Sequence, residues 1–109
     1  MEVEHKGNTC IIKDTQDNLT AFLMKLTHEH KTFGNCNLIL DISHYKNLAI
    51  KEINAFSALS KTHIKGKKSF VIVADIDFNK VQGKLVVVPT VQEAHDMIEM
   101  DEIERDLGF

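Results

Sequence analysis

Apolar residues in this chain fall into short continuous runs and into longer stretches with helical spacing. Continuous runs of strand length occupy residues 37–42 (NLILDI), 69–74 (SFVIVA) and 85–88 (LVVV). A run with few polar interruptions is typical of a strand covered on both faces, as in a parallel sheet. Residues 9–14 (TCIIKD) predict a further strand, and we expect residues 1–6 to pair with it across a turn at Gly7-Asn8.

Helical spacing predicts two helices, one between the second and third strands and one between the third and fourth. Asn18 is a good N-cap for the first helix, and Gly34 ends it. The second helix extends from about Leu48 to Ile64, with Gly66 as its stop signal. The apolar positions expected to face the sheet are Leu19, Phe22, Leu23 and Leu26 in the first helix, and Ile50, Ile53, Phe56, Leu59 and Ile64 in the second.

The last helix has the clearest start signal in the sequence. Thr90 and Glu93 match the capping box S/T-x-x-E, in which each side chain accepts from the other residue's backbone N–H. Pro89 keeps the residue before it extended, so the preceding strand ends there. The residues expected to dock this helix on the sheet are Ala94, Met97, Ile98 and Ile103.

The predicted order of elements is β-β-α-β-α-β-β-α, in one domain spanning residues 1–109. Residues 75–83 between the last two strands are polar and irregular, with Phe78 and Val81 as candidate core contacts of a short helical turn. Helices between buried strands require crossover connections, which make strands parallel. The sequence therefore predicts an α/β fold with a mixed sheet, partly parallel and carrying an antiparallel pair at one edge.

Composition is consistent with one folded unit. The chain has 109 residues, of which 43% are hydrophobic and 27% charged, so it can bury one core without disulfides or a metal. Residues 1–5 are charged and unlike a signal peptide, and no apolar run approaches the roughly 20 residues of a membrane helix. We expect a cytoplasmic protein without a membrane span, in which Cys10 and Cys36 are buried and reduced.

Charge is distributed unevenly along the chain. Residues 92–109 carry seven acids against the single base Arg105, whereas the remainder is net positive. An acidic final helix repels phosphate groups, so nucleic acid is a poor candidate partner.

The spacing of the histidines and cysteines along the sequence does not match a metal-binding motif. His28 and His30 stand two residues apart and point in different directions on a helix. The other histidines (His5, His44, His63 and His95) and the two cysteines lack ligand spacing, so we expect no metal site.

Two further patterns carry weak chemical signals. Asp75 and Asp77 follow a buried strand, where Mg²⁺ could bind, but no glycine-rich phosphate loop accompanies them. Ser43 is next to His44, but adjacent side chains at a strand end diverge, and no carboxylate is placed to orient the imidazole. We therefore predict a chain that is not an enzyme and needs no cofactor.

Two segments carry a family resemblance. Residues 37–53 (NLILDISHYKNLAIKEI) and 85–98 (LVVVPTVQEAHDMI) resemble the STAS domain, the fold of bacterial anti-sigma factor antagonists. The order of elements agrees over essentially the whole chain, and VPTVQEA is the most specific piece. The resemblance implies a non-enzymatic switch, in which the domain docks on an anti-sigma kinase and is released by phosphorylation of a Ser or Thr at the start of the second helix.

The phosphorylated residue of that family has no counterpart here. Ala49, Ile50 and Lys51 occupy the positions of the family's Asp-Ser-Ser-Gly type sequence, and none of them has a hydroxyl group. What the resemblance retains is a docking surface formed by residues 44–54 and the loop 75–80. The residues predicted to bind a partner are His44, Asn47, Ile50, Lys51, Asn54, Asp77, Phe78 and Asn79.

The carboxyl-terminal sequence IEMDEIERDLGF is also similar to short bacterial proteins often labelled ribonuclease Z. That nuclease needs an H-x-H-x-D-H zinc motif, and here Thr32 and Phe33 stand where the Asp and the last His would be. The leading hypothesis is therefore a module that binds a regulatory protein, such as an anti-sigma kinase. The alternatives are a sensor of a nucleotide or lipid, and an accessory partner of a nuclease encoded nearby.

Overall fold

The computed structural model describes residues 1–15, 17–46, 48–76 and 85–108. The described residues form a five-stranded sheet with helices on both faces. The strands are β1 Glu2–Lys6, β2 Thr9–Lys13, β3 Asn37–Asp41, β4 Phe70–Val73 and β5 Val86–Val88. The helices are α1 Leu19–Glu29, α2 Ile50–Asn54, α3 Ser57–Lys65 and α4 Val91–Asp106, and a short 3₁₀ turn at His30–Phe33 follows α1.

Sheet topology follows chain order, β1-β2-β3-β4-β5. β1 and β2 form an antiparallel hairpin, and every later pairing is parallel. Gly7 has φ of 58°, a backbone conformation that glycine adopts without strain, which allows the tight turn between the two strands. The predicted α/β class, and the mixed sheet with its antiparallel edge pair, are confirmed.

Side chains alternate between the two faces of the sheet and build two separate cores. In β2, β3 and β4 the even-numbered residues, among them Ile12, Leu40 and Ile72, pack with buried residues of α1, α2 and α3. The odd-numbered residues of these three strands, such as Ile39 and Val71, pack beneath α4 together with Val88 of β5. The continuous apolar runs in β3 and β4 therefore reflect cover on both faces.

The predicted second helix is two helices. α2 ends at Asn54 and α3 begins at Ser57, with the fully buried Phe56 between them. The N–H of Phe56 donates to the Ile53 carbonyl, only three residues back, at 3.0 Å. This tighter turn shifts the helical phase, so the expectation for Ile64 is wrong: Ile64 is 45% exposed, and His63 points inward at 2%.

The predicted helix starts are found where the caps were expected. Asn18 Oδ1 accepts from the N–H of Ala21 at 3.0 Å, and Thr90 Oγ1 accepts from the N–H of Glu93 at 3.1 Å. α4 is docked by Ala94 and Ile98, whereas Ile103 is 53% exposed and was wrongly expected to face the sheet.

Polar contacts join α4 to the amino ends of the central strands. Ser69 Oγ donates to Asp101 Oδ2 at 2.8 Å, and the Ser69 N–H donates to Asn37 Oδ1 at 2.9 Å. Arg105 donates to Ser69 Oγ and to Asn37 Oδ1 at 3.3 and 3.4 Å. The acidic final helix is thus a structural element whose charged residues also meet buried strand ends.

Replacing Phe56 tests the position of the break between α2 and α3. Phe56→Ala should lower the free energy of unfolding by about 3–5 kcal/mol, because a fully buried ring leaves a cavity. Ile64→Ala, on the exposed side of α3, should change it by less than about 0.5 kcal/mol. Urea unfolding of both variants measures the difference, and equal losses would contradict the observed helix phase.

Candidate functional site

The loop between β3 and α2 lies at the carboxyl edge of the parallel strands and includes His44, the first of the predicted partner-binding residues. It begins with a local turn, in which Asp41 Oδ1 accepts from both the N–H and the hydroxyl of Ser43, at 3.1 and 2.6 Å. Aspartate commonly stabilises a turn in this way by binding the backbone two residues on. These two hydrogen bonds therefore hold the turn through which the chain leaves β3.

Tyr45 joins this loop to the segment that follows β2. Its hydroxyl donates to Oδ2 of Asp14, a carboxylate only 4% exposed. Burial raises the pKa of Tyr45, and the hydrogen bond and negative charge of Asp14 raise it further. The phenol therefore stays protonated and remains a donor over the physiological pH range.

His44 is exposed beside Tyr45, with 4.5 Å between the two ring centroids. Its Nε2 lies 3.5 Å from Oδ1 of Asp17, so the expectation that no carboxylate lies near this imidazole is wrong. Asp17 is 84% exposed, however, and the Ser43 hydroxyl binds Asp41. The three groups are not arranged for nucleophilic catalysis, in which the base must contact the nucleophile.

α2 follows directly and presents the other predicted residues. The Ala49 N–H donates to Glu52 Oε1 at 3.1 Å, which holds the start of the helix. Ile50 is half-buried at the first helical position, Lys51 is exposed, and Asn54 is half-buried at the last. Ile50 and Asn54 are four residues apart and so share one side of α2.

The remaining predicted residues are Asn47, Asp77, Phe78 and Asn79, and they lie outside the described residues. Of the first half of the predicted surface, the structure therefore describes His44, Ile50, Lys51 and Asn54. The second half of that surface is described only as far as Asp75, which is exposed, and Ile76, which packs against the core of the α1 face.

At the opposite edge of the sheet the fold assembles a cluster that the sequence interpretation missed. His5, Cys10 and Cys36 place one imidazole nitrogen and two sulfurs within 4.8 Å of one another. His5 Nδ1 is 3.2 Å from Cys10 Sγ. A signal was present, because His5 and Cys10 stand symmetrically about the Gly7-Asn8 turn and face each other in the hairpin.

Burial and neighbouring charge both act on the Cys10 thiol. Its side chain is fully buried, and burial, followed by the hydrogen bond and charge of Cys36, raises its pKa to about 12. Cys10 is therefore a neutral thiol at physiological pH unless a cation reaches it.

His63 binds the backbone of Cys36, and His30 in turn binds His63. His63 Nε2 lies 2.7 Å from the Cys36 carbonyl oxygen, which can only accept, so this nitrogen carries the proton. His63 Nδ1 is then an acceptor, and His30 Nε2 donates to it across 2.9 Å. Burial lowers the pKa of His63, the hydrogen bond to the Cys36 carbonyl partly offsets this, and the charges of His30 and Lys68 lower the pKa further.

The sequence matches no known protein-family model, and it matches no characterised protein. Among the residues with described positions, no helix is long and apolar enough to cross a membrane.

Removing the Tyr45 hydroxyl tests whether it fixes the β3–α2 loop. Tyr45→Phe should lower the free energy of unfolding by about 1–3 kcal/mol, because the buried carboxylate of Asp14 loses a donor. Ser43→Ala removes a solvent-exposed bond of the same loop and should lower it by less than about 1 kcal/mol. Urea unfolding compares the two variants, and an effect of Tyr45→Phe no larger than that of Ser43→Ala would refute the assignment.

The buried His63 predicts acid sensitivity. Its folded pKa lies below the unfolded value of about 6.5, so the unfolded chain binds more protons in the interval between them. The stabilisation is present above about pH 6.5 and is lost as pH falls through the folded pKa. His63→Gln keeps an N–H donor without titrating, so its unfolding free energy should fall less between about pH 7.5 and pH 5 than that of the unmodified chain. Parallel curves for the two proteins would show that His63 does not titrate in this way.

Proposed function

We propose that this chain is a non-catalytic, STAS-like interaction module that binds a regulatory protein through the carboxyl edge of its sheet. The observation that carries the proposal is the anchored first part of the β3–α2 loop, residues 42–46, in which Tyr45 binds the buried Asp14 while His44 remains exposed. Lys51 is exposed on α2, which follows the loop. A loop ordered before binding loses less conformational entropy when a partner docks.

The fold supports the proposal through its topology. The described residues form an α/β fold with a mixed sheet and an antiparallel hairpin at one edge, which is compatible with the STAS resemblance. In open α/β sheets, ligands and partners bind beyond the carboxyl ends of the strands, which is where this loop lies. The order of elements alone gives a class of fold, so the site must carry the functional assignment.

The chemistry of the loop favours a protein partner. Ile50 is a partly exposed apolar residue, and the same segment of the chain carries exposed polar groups of both signs at His44, Lys46, Lys51 and Glu52. An apolar centre within a polar rim is the usual composition of a protein–protein interface. We assign the partner to the class of regulatory proteins that STAS domains bind, such as an anti-sigma kinase in the cytoplasm.

Control by phosphate would differ from that of the resembled family. The start of α2 presents Ala49, Ile50 and Lys51, which offer no hydroxyl to a kinase. The nearby Ser43 hydroxyl is already bound to Asp41 at 2.6 Å. Regulation in this proposal therefore acts on the partner rather than on this loop.

Site-specific photocrosslinking in the native cell tests the proposal and captures the partner in the same step. A photoreactive amino acid at position 51 should give one discrete crosslinked protein, because Lys51 is exposed beside the docking loop. The matched control is position 65, an exposed lysine at the end of α3, which leads to the amino end of β4. The proposal fails if position 51 gives no discrete product, or if both positions give the same one.

A further inference from the structure

We propose that His5, Cys10 and Cys36 form a binding site for a zinc ion at the amino edge of the sheet. The site lies at the opposite end of the strands from the docking loop, so it stands or falls independently of the proposed function. One metal would join β1, β2 and the residue that precedes β3.

The register of the strands brings the three donors together. His5 is the direct cross-strand partner of Cys10 in the β1–β2 hairpin, so both side chains lie on the same face. Cys36 immediately precedes β3, where Asn37 is the partner of Thr9. The Asn37 N–H also donates to the Asn8 carbonyl at 2.8 Å, which fixes the hairpin turn against the start of β3.

The spacing of the donor atoms fits a tetrahedral ion. Zinc binds sulfur at about 2.3 Å and imidazole nitrogen at about 2.0–2.1 Å, which places neighbouring ligand atoms about 3.5–3.8 Å apart. The three donor atoms lie within 4.8 Å of one another, and the Nδ1–Sγ pair is at 3.2 Å. Shifts of about 1 Å or less therefore convert this arrangement into zinc coordination.

The chemistry of the donors selects a thiophilic metal. Two sulfurs and one imidazole suit zinc, whereas magnesium and calcium prefer oxygen ligands. Two thiolates side by side repel each other, and the neighbouring sulfur already contributes to the high pKa of Cys10. A divalent cation supplies the missing positive charge, so metal uptake releases the thiol protons to solvent.

Burial leaves one side of the site open. Cys10 is fully buried, Cys36 is half-buried and His5 is exposed, so a metal could enter from the His5 side. Three protein ligands would leave the fourth position to water. The proposal therefore describes a Cys₂His site with a solvent ligand rather than a closed four-ligand site.

The third ligand is held in place before any metal binds. The Cys36 N–H donates to the Phe33 carbonyl at 3.1 Å, and its own carbonyl accepts from His63. His30 in turn donates to His63. Fixed ligands lose less entropy on binding, so this arrangement favours metal affinity.

Cobalt provides the direct test, because Co²⁺ occupies the same tetrahedral sites as zinc and absorbs visible light. The full chain, purified metal-free under reducing conditions, is titrated with Co²⁺. We expect a thiolate-to-cobalt charge-transfer band that saturates at one equivalent and disappears when Zn²⁺ is added. Zn²⁺ should also raise the thermal midpoint, since it binds the folded state.

Two ligand variants and one control make the test specific. His5→Ala and Cys36→Ser should each weaken binding at least tenfold, because each loses a direct ligand. His5 is exposed, so its replacement should leave the fold intact, as circular dichroism would verify. The control His28→Ala removes another exposed histidine, on α1, and should bind like the unmodified chain.

Three results would overturn the zinc site. The first is the absence of both the charge-transfer band and the thermal shift. The second is binding that persists unchanged in both ligand variants, which would place the metal elsewhere. The third is a Cys10–Cys36 disulfide that survives physiological glutathione, seen by mass spectrometry as the loss of two hydrogens, because it would remove both thiolates.

Discussion

The parallel pairing of β2, β3 and β4 is the constraint on which the rest of this molecule depends. Parallel strands require helical crossovers, so α1 and the α2–α3 pair must cover one face, while α4 returns on the other. The same pairing collects all the carboxyl ends of these strands at one edge and all the amino ends at the other. Which side chains can meet is therefore decided by strand direction and register.

The two edges have different chemistry as a result. At the carboxyl edge, polar contacts through Asp41 and Tyr45 anchor the first part of a loop in which His44 and Lys46 remain exposed. At the amino edge, three histidines and Cys10, from two strands and two helical segments, converge on Cys36. The proposed docking surface and the proposed metal site can coexist in 109 residues because the length of the sheet separates them.

Short-range signals in the sequence were sufficient to predict much of the fold. The caps at Asn18 and Thr90 depend on residues within one helical turn, and the buried strands on short apolar runs. The break at Phe56 was not predictable from periodicity, because the pattern from Ile50 to Leu59 fits one helix until the three-residue turn shifts its phase. His63 therefore replaced Ile64 at the core.

The sequence predicts the two candidate sites to different extents, because one is local in sequence and the other depends on the pairing of strands. The residues from His44 to Asn54 are continuous in sequence, so a strand-end loop could be anticipated from the strand alone. The cluster of His5, Cys10 and Cys36 depends on pairing between β1, β2 and β3, and linear spacing rules for metal ligands do not detect it. Only the hairpin symmetry about Gly7-Asn8 carried part of that information.

The central claim is that this chain binds a regulatory protein through the loop and helix at residues 44–54. Isothermal titration of the purified chain with the protein captured at position 51 tests it most directly. We expect Lys51→Glu to weaken binding at least about tenfold, or 1.4 kcal/mol, while Lys65→Glu leaves it unchanged. Equal affinities for the two variants would contradict the claim, because the carboxyl edge would then not be the binding surface.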